Sequence, residues 1–396
     1  MKTLNARPED KIRTVLWVDP HLQHRSPSMK NLLAILPQLA ARGWKIEAWC
    51  IRSDAPPELC KHTFFPSVMK AFPFLEMLMF DVMANLYAAW RWISGRRSTH
   101  VLVHSNGGNN LAADVASIHF LNPLWVRLQL RIRFRSVREV AGFFVSCFGA
   151  IMDLLMFAWP KRRLYLPVSD SVAEEVRKRQ KKYCTTIVVP SVYDPVKFNP
   201  QIRAASRLPS RIELGYSPND IVLGFTSQGA YRRKGLFLGV EALQIVRTAN
   251  PNVKLLIIGG SPNVTNRLKR QLDLLAPDWK EWIQITGHVP DVARALCAAD
   301  AFFYPSYFES FASVELEAVA LVLPLLLTRH FGTEMTLRPG VNGELLSFDP
   351  KEMAGQIASA VKRLSEYDQS GVNRGITVAQ FAEQILAAYE TAVAAK

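Results

Sequence analysis

Two glutamates eight positions apart frame the stretch ESFASVELE, residues 309–317. The strand-like run DAFFYPS precedes it, and SVELEAVALV within and beyond it has helical composition. Glu309 is therefore expected in the loop at the carboxyl end of a buried strand, with Ser310 capping the helix that follows. The first amides of a helix have no partner within it and favour an anion, so residues 310–313 read as a cluster of donors. A helix rises about 12 Å over eight residues. The stretch thus presents a carboxylate, a group of amide donors and a second carboxylate. A ligand with hydroxyls at both ends and phosphate between them matches that layout, and a nucleotide-sugar is such a ligand. Carboxylates accept paired bonds from vicinal hydroxyls, as on a ribose. The plain alternative makes both glutamates solvated helix-end side chains. Against it, Val314, Leu316, Ala318 and Val319 surround Glu317, and a carboxylate among apolar residues needs a partner.

Other chemistry-bearing residues point less clearly. His21 and His24, and His100 and His104, have ligand-like gaps outside any zinc motif, and read as core or loop histidines. HSNGGNN, residues 104–110, is a glycine-bearing turn after a strand that either lines a ligand cleft or serves as a plain turn. The five cysteines are scattered, odd in number and without metal spacing. They read as buried thiols of a reduced, cytosolic protein.

These residues need rigid elements to hold them. Short apolar runs alternate with helical patterns along nearly the whole chain. TVLWVD (14–19), KIEAWCI (45–51), HVLVHS (100–105), ADVASIHF (113–120), LYLPVSD (164–170) and TTIVVPS (185–191) read as strands of a first half. A helix over 29–43, stopped by Gly43, falls between the first two. Residues 193–220 carry four prolines, mixed charge and no strong apolar periodicity, and read as a linker. A second series follows at 221–228, 253–260, 281–289, 300–306 and 324–328, with a helix at 236–250. Strand, helix, strand at this rhythm means parallel sheets with helices on both faces. Such sheets bind ligands at the carboxyl ends of their strands.

With the elements in place, the second half closely resembles glycosyltransferase family 4, retaining enzymes of the GT-B fold. The family signature of Glu, seven residues, Glu falls on Glu309 and Glu317. GFTSQGAYRRKGLFLGVEAL is similar to the family's strand, basic loop with Lys-Gly, and helix. LLIIGG is similar to its next strand and glycine turn, which contains Gly260. ITGHVPDVARALCAADAFFYPSYFESF follows its order of G-x-V, acidic-hydrophobic helix, AD, PS and Glu, and GVNGELL its G-x-N-G turn. The first half resembles the family more loosely. VSDSVAEEV is similar to its strand, serine and helix, and Asp194 and Phe198 match where Ser191, Val192 and Tyr193 do not. The loop DPHLQHRSPSM lacks the family's glycines, and Val322 stands where the family has glycine before a late proline.

The resemblance implies an α/β fold of the GT-B class, with two Rossmann-like doubly wound parallel-sheet domains facing a central cleft. Residues 1–205 would form the acceptor-side domain, joined by the C-terminal helix 375–396, and residues 206–374 the donor-binding domain. The implied catalytic set is Glu309, Lys234 and His119. Lys234, preceding Gly235, would hold the donor diphosphate with Arg233 or Arg232. Glu309 would contact the donor-sugar hydroxyls, and Ser310, Phe311 and Ala312 would offer backbone amides to sugar and phosphate. Glu317 would bind the ribose, Gly260 would lie at the donor, and His119, ending ADVASIH, would sit beside the sugar. Lys, Arg and a helix start stabilise the charge left on a departing diphosphate without a metal. There is no Asp-x-Asp, so neither a metal nor a cofactor is expected; the nucleotide-sugar, a UDP-sugar, is a substrate. No carboxylate nucleophile stands out, and the resemblance implies same-face attack assisted by the leaving phosphate. The implied acceptor is a glycan or lipid-linked molecule in bacterial cell-surface polysaccharide, lipopolysaccharide or glycolipid synthesis. The other readings are a GT-B sugar-nucleotide epimerase or phosphorylase, and a non-catalytic partner subunit.

The 396 residues suffice for two domains, and 49% are hydrophobic. Residues 1–19 lack the pattern of a signal peptide. The net charge is +14, and residues 121–190 hold 13 Lys and Arg against 5 Asp and Glu. Arg127, Arg131, Arg135 and Arg138 fall along one helical face beside apolar residues, which suits an anionic membrane surface or a solvated helix face. VAGFFVSCFGAIMDLLMFAW (140–159) is as long as a membrane span, with a buried helix or one lying on a bilayer as the plainer readings. The Met- and aromatic-rich run 64–92 reads as helical packing or a membrane-facing lobe. The expected location is cytoplasmic, peripheral at the inner face of the cell membrane. Zinc-finger spacing and RNA-type aromatic-basic signatures are missing, so nucleic acid is not an expected partner.

Overall fold

The computed structural model describes residues 13–24, 26–66, 73–94, 101–130, 137–370 and 375–396. The chain divides into two compact units: unit 1 holds Met1–Val192 and Val378–Lys396, and unit 2 holds Tyr193–Thr377.

In unit 1 the strands are β1 (Thr14–Val18), β2 (His21–Leu22), β3 (Lys45–Cys50), β4 (Arg52–Ser53), β5 (Cys60–Phe64), β6 (Val101–Asn106), β7 (Val115–Ile118), β8 (Leu164–Pro167) and β9 (Thr185–Thr186). Seven of them form a parallel sheet in the order β5-β3-β1-β6-β7-β8-β9, and β2 and β4 form a small parallel ribbon. Its helices are α1 (Pro27–Ala34), α2 (Leu36–Ala41), α3 (Pro73–Ile93), α4 (Asn122–Gln129), α5 (Val137–Ala158) and α6 (Asp170–Arg179). The single helix expected over 29–43 is broken at Ile35, because Pro37 cannot donate to the preceding turn and instead opens the second piece.

Unit 2 begins with α7 (Pro200–Glu213) and carries β10 (Ile221–Thr226), α8 (Leu236–Ala249), β11 (Val253–Ile258), α9 (Pro262–Leu275), β12 (Ile283–Gly287), α10 (Val292–Leu296), β13 (Ala301–Tyr304), α11 (Ser313–Ala320), β14 (Leu325–Thr328), β15 (Gly343–Leu346) and α12 (Pro350–Ala360). Its parallel sheet runs β12-β11-β10-β13-β14-β15, so the strand order reverses between β10 and β13. In such a sheet the crevice at the reversal is where ligands bind. AFFY in β13 and LLLT in β14 are buried at every position, as expected of strands covered on both faces.

Residues 193–220 are not an open linker: α7 occupies their middle. Asn199 caps it by accepting from the Ile202 amide at 2.8 Å, and Pro200 fills the first turn. The helix docks through its arginines while its apolar Leu208 and Ile212 face outward, so its buried face does not read as hydrophobic. Arg207 bonds Asp300 at 2.6 Å and the Ala299 carbonyl at 3.2 Å. Arg211 is buried and reaches Asp300 at 3.1 Å and the Ser217 and Asp220 carbonyls at 2.8 and 2.7 Å. The first unit therefore ends at Val192 instead of residue 205.

The last helix, α13 (Val378–Ala394), belongs to unit 1. Its buried Tyr389 hydroxyl accepts from the Trp17 indole at 2.9 Å and pairs with His104 at 2.8 Å. The other nitrogen of His104 meets Ser117 at 2.8 Å, so this histidine serves the core.

Among the described residues one helix, Glu139–Ala158 within α5, is long and apolar enough to cross a membrane by length and composition. About 28% of it is buried within the protein; on that face Gly108 approaches the Met152 backbone so closely that a Cβ would lie 2.6 Å from it. Arg127 lies in α4; Arg131 and Arg135 lie outside the described residues, as does the side chain of Arg138.

Helix α11 ends in a Schellman turn, with Leu323 N–H bonding the Ala318 carbonyl at 3.0 Å and Val322 N–H the Val319 carbonyl at 2.9 Å. The motif needs a left-handed residue at Val322, whose φ is 50°. It is a position for glycine, and a β-branched side chain there is strained. Val322→Gly should therefore raise stability by about 0.5–1 kcal/mol despite glycine's greater unfolded-state entropy. Thermal melting checks this; a fall in melting temperature would show that the Val322 side-chain contacts outweigh the strain.

Candidate functional site

The loops that leave β10 and β13 are stitched together at the reversal of the unit 2 sheet. After β10 the chain turns through Ala230–Lys234, with the Gly235 amide bonding the Arg232 carbonyl at 3.0 Å. Gly235 has φ +68°, and a Cβ there would lie 1.7 Å from the Pro305 carbonyl oxygen. No other residue fits, so the start of α8 is pressed against the exit of β13 and Lys234 is fixed beside it. The Tyr307 amide bonds the Arg233 carbonyl at 2.9 Å, and the Arg233 guanidinium returns a bond to the Phe308 carbonyl at 2.8 Å.

Glu309 sits where these loops meet. It pairs with Arg233 at 3.0 Å and accepts from the Tyr304 hydroxyl at 3.0 Å and from Ser306 at 3.4 Å. The Lys234 ammonium lies 5.0 Å from the centre of the Tyr304 ring, a cation–π contact. Burial alone would push the Glu309 carboxyl up, but Arg233, Lys234 and His330 outweigh it and hold it below the ordinary value. It is ionised at neutral pH. Burial lowers Lys234 more than the surrounding carboxylates, Glu309 and Glu317 among them, raise it.

Behind this layer lies a second one. Glu315 is fully buried, pairs with His330 at 2.8 Å and accepts from Thr336 at 2.8 Å. The glutamate sunk among apolar residues is thus Glu315, while Glu317 is half-buried on the same helix. The sequence pattern misplaces the burial by two residues because the helix starts late. Phe308 and Phe311 are buried and anchor the loop, Gly332 packs against Phe311, and α11 begins only at Ser313 with Ala312 at its N-cap. Ser310 therefore does not cap the helix, and the amides of the helix start begin at Ser313, after Ser310 and Phe311.

The structure thus joins Arg233 and Glu309 directly, sets Lys234 against the Tyr304 ring that bonds Glu309, and places Ser310, Phe311, Ala312 and Glu317 on the loop and helix that follow. Arg232 lies beside Tyr307. Gly260, in the turn after β11, meets the Tyr231 ring of the same basic loop, whose hydroxyl lies 2.7 Å from where a Cβ would stand. His119 belongs to unit 1, following β7, and lines a cavity there. Burial lowers its pKa to about 4, so its imidazole is neutral at pH 7. Tyr304, Glu315 and His330 are the residues that sequence reasoning missed. Tyr304 and His330 each stand at the carboxyl end of a sheet strand, which is the one signal the sequence offered for them.

The arrangement supplies fixed cations, a helix start and an ionised carboxylate at the carboxyl edge of a parallel sheet. Residues 220–391 match the family model described as Glycosyl transferases group 1. The chain is 28% identical over 215 residues to D-inositol 3-phosphate glycosyltransferase of Segniliparus rotundus, covering 52% of this chain and 47% of the relative. It spans about half the length of the curated relatives it matches. Among solved structures it is similar to sucrose-phosphate synthase from Thermosynechococcus elongatus, with a TM-score of 0.70 and 16% identity over 97% of this chain and all (100%) of that one. It is also similar to the Anabaena protein Alr3699/HepE, solved with UDP and glucose, at a TM-score of 0.65 and 16% identity over 95% of this chain and 99% of that one. The chain has the GT-B fold.

The His330–Glu315 pair generates a prediction about pH. Burial pushes the His330 imidazole down, but Glu315 outweighs it and holds the group above its ordinary 6.5. The stability contributed by the proton is therefore fully present below pH 6.5 and is lost as pH rises through the raised folded value. His330→Ala should cost about 3 kcal/mol at pH 6, by leaving Glu315 buried without its cation. It should also flatten the decline in stability above pH 6.5. Urea denaturation across pH tests both; an unchanged pH profile in the variant would contradict the assignment.

Proposed function

We propose that the chain is a glycosyltransferase that moves a sugar from a nucleotide-sugar, with a UDP-sugar as donor, to a glycan or lipid-linked acceptor. The observation that carries this reading is the Arg233–Glu309–Tyr304 cluster with Lys234 above the Tyr304 ring, at the strand reversal of unit 2. The match of residues 220–391 to the glycosyl transferase model supports it, as do structural neighbours solved with UDP and with UDP-glucose.

In this mechanism Lys234 and the helix start of α11 take the diphosphate, and their positive charge grows in value as the sugar-phosphate bond breaks. Arg233 is engaged by Glu309 and the Phe308 carbonyl, so its first task is to aim Glu309 at the sugar hydroxyls. Glu317 takes the ribose hydroxyls. The positive charge needed by the leaving group comes from side chains, so the reaction requires no metal and no cofactor. Transfer proceeds with retention, the acceptor attacking from the face the diphosphate leaves and giving up its proton toward that phosphate. His119 is a neutral hydrogen-bonding group of unit 1.

Replacing Glu317 with Gln keeps the shape but removes charge-assisted bonds worth about 1.5–3 kcal/mol each. Glu317→Gln should thus weaken binding of UDP itself. Glu309→Gln should spare UDP and damage sugar transfer, and Lys234→Ala should hurt both. Calorimetry with UDP beside turnover of a UDP-sugar panel tests the set. If Glu309→Gln loses UDP while Glu317→Gln binds it normally, the donor lies the other way round. Epimerised donor or free sugar phosphate as product would favour an epimerase or phosphorylase, and tight donor binding without turnover a non-catalytic partner.

The same reading has the chain work in the cytoplasm, peripherally at the inner face of a bacterial cell membrane, in the synthesis of cell-surface polysaccharide, lipopolysaccharide or glycolipid. Its support is the net charge of +14 and the exposed apolar residues of α3 and α5, Leu86, Trp90, Phe144, Ile151 and Leu154 among them. Flotation with liposomes rich in anionic lipid should show binding that weakens as salt rises. Equal binding to neutral lipid at low and high salt would remove the electrostatic account.

A further inference from the structure

Unit 1 has its own strand reversal, between β1 and β6. A cavity of about 600 Å³ opens there, within the size range of small-molecule sites. Asp19 enters it just after β1, Asn106 at the end of β6 and His119 just after β7, while α3 and α5 close over it. Three carboxylates from three separate segments converge in it, and each is more than nine-tenths buried: Asp19, Asp81 of α3 and Asp153 of α5.

Two of the three are held by the protein. Asp19 accepts from the Asn106 amide at 3.0 Å and from the His21 backbone at 2.8 Å. Asp153 accepts from the Asn122 backbone and side chain at 3.1 and 3.0 Å. Asp81 differs: no described residue donates a hydrogen bond to its carboxyl, which is 7% exposed and faces the cavity and the other two acids. Its carboxyl faces the open space of the cavity, where a group carrying hydroxyl or amine hydrogens can bond it. Among the described residues, the basic side chains at the rim do not serve it. Arg52 and His21 are both drawn to the buried Glu76, at 3.1 and 3.4 Å. Met77, Phe148 and Met152 supply apolar walls for the C–H face of a ring.

The sign of the charge decides what this cavity rejects. Among the described residues three acids lie inside and Arg52 is committed to Glu76, so a phosphate or carboxylate entering the cavity meets like charge in a region shielded from water. Burial raises Asp19 and Asp153 to about 6, and burial followed by the two neighbouring acids holds Asp81 well above the ordinary carboxylate value. A proton retained on Asp81 adds a donor to a set of acceptors, which suits hydroxyls, since they both give and take hydrogen bonds.

We propose that this cavity takes an acceptor's hydroxylated ring, uncharged or amine-bearing and without phosphate or carboxylate, and that Asp81 reads its hydroxyls. The word acceptor rests on the glycosyl-transfer reading above; the binding selectivity does not.

The test uses the full chain and a panel of methyl glycosides of common hexoses and hexosamines, each beside its 6-phosphate, with binding read by saturation-transfer NMR without donor. At least one uncharged or amine-bearing glycoside should bind, its 6-phosphate should bind about tenfold more weakly or not at all, and Asp81→Leu, which removes both donor and acceptor, should weaken the glycoside while UDP binding stays intact. Phosphorylated rings binding as well as their parents, no glycoside binding at all, or an Asp81→Leu variant that binds as the wild type does would each overturn the proposal. The discrimination by wild-type protein tests it even if the variant misfolds. Glycoside binding of this kind without any donor turnover would defeat the glycosyl-transfer reading alone. Transfer confined to phosphorylated acceptors would defeat this proposal alone.

Discussion

The ion pair between Arg233 and Glu309, 3.0 Å long and largely buried, joins the two loops on which the unit 2 site depends. Neither loop is held by regular structure. The loop after β10 is fixed by Gly235 pressed on the Pro305 carbonyl, and the loop after β13 by its bonds to the Arg233 backbone and side chain. Each anchor needs the other. A buried carboxylate costs several kcal/mol to desolvate, and only a cation with further hydrogen bonds offsets that cost. Tyr304 and Ser306 complete the offset for Glu309, so the carboxylate stays ionised and aimed where the sheet edge opens.

The two units solve the same geometric problem with opposite chemistry. Both have a parallel sheet whose strand order reverses beside its first strand, β1 in one and β10 in the other. In unit 2 the reversal gathers Arg232, Arg233 and Lys234, a set suited to phosphate. In unit 1 it gathers Asp19, Asp81 and Asp153, a set that repels it. One topology therefore carries two opposite charge patterns, because the loops and flanking helices decide the charge while the sheet decides only the place.

Much of the fold was legible because parallel strands buried on both faces read as short apolar runs, and TVLWV, IVLGFT and AFFY fall where β1, β10 and β13 form. The glycine of Lys-Gly was legible, and the structure gives its physical reason in the Pro305 carbonyl oxygen, which would lie 1.7 Å from a Cβ at Gly235. What escaped depends on contacts that the local apolar pattern does not carry. Helix α7 docks through arginines that find Asp300, 93 residues from Arg207 and 89 from Arg211. Glu315 and Glu317 are indistinguishable by pattern, and burial is assigned by where two phenylalanines let the helix begin. The acids of the unit 1 cavity lie on three segments that no local reading connects. Val322 was legible as a departure from glycine, and its positive φ gives that departure its physical meaning.

The central claim is that Lys234, Glu309 and Glu317 hold a nucleotide-sugar along the α11 segment. A crystal structure of the protein with a bound UDP-sugar tests it most directly. The account predicts the diphosphate against Lys234 and the start of α11, the ribose hydroxyls on Glu317, and the sugar hydroxyls within hydrogen-bonding distance of Glu309. Nucleotide density lodged away from Lys234, or a ribose seated on Glu309, would contradict it.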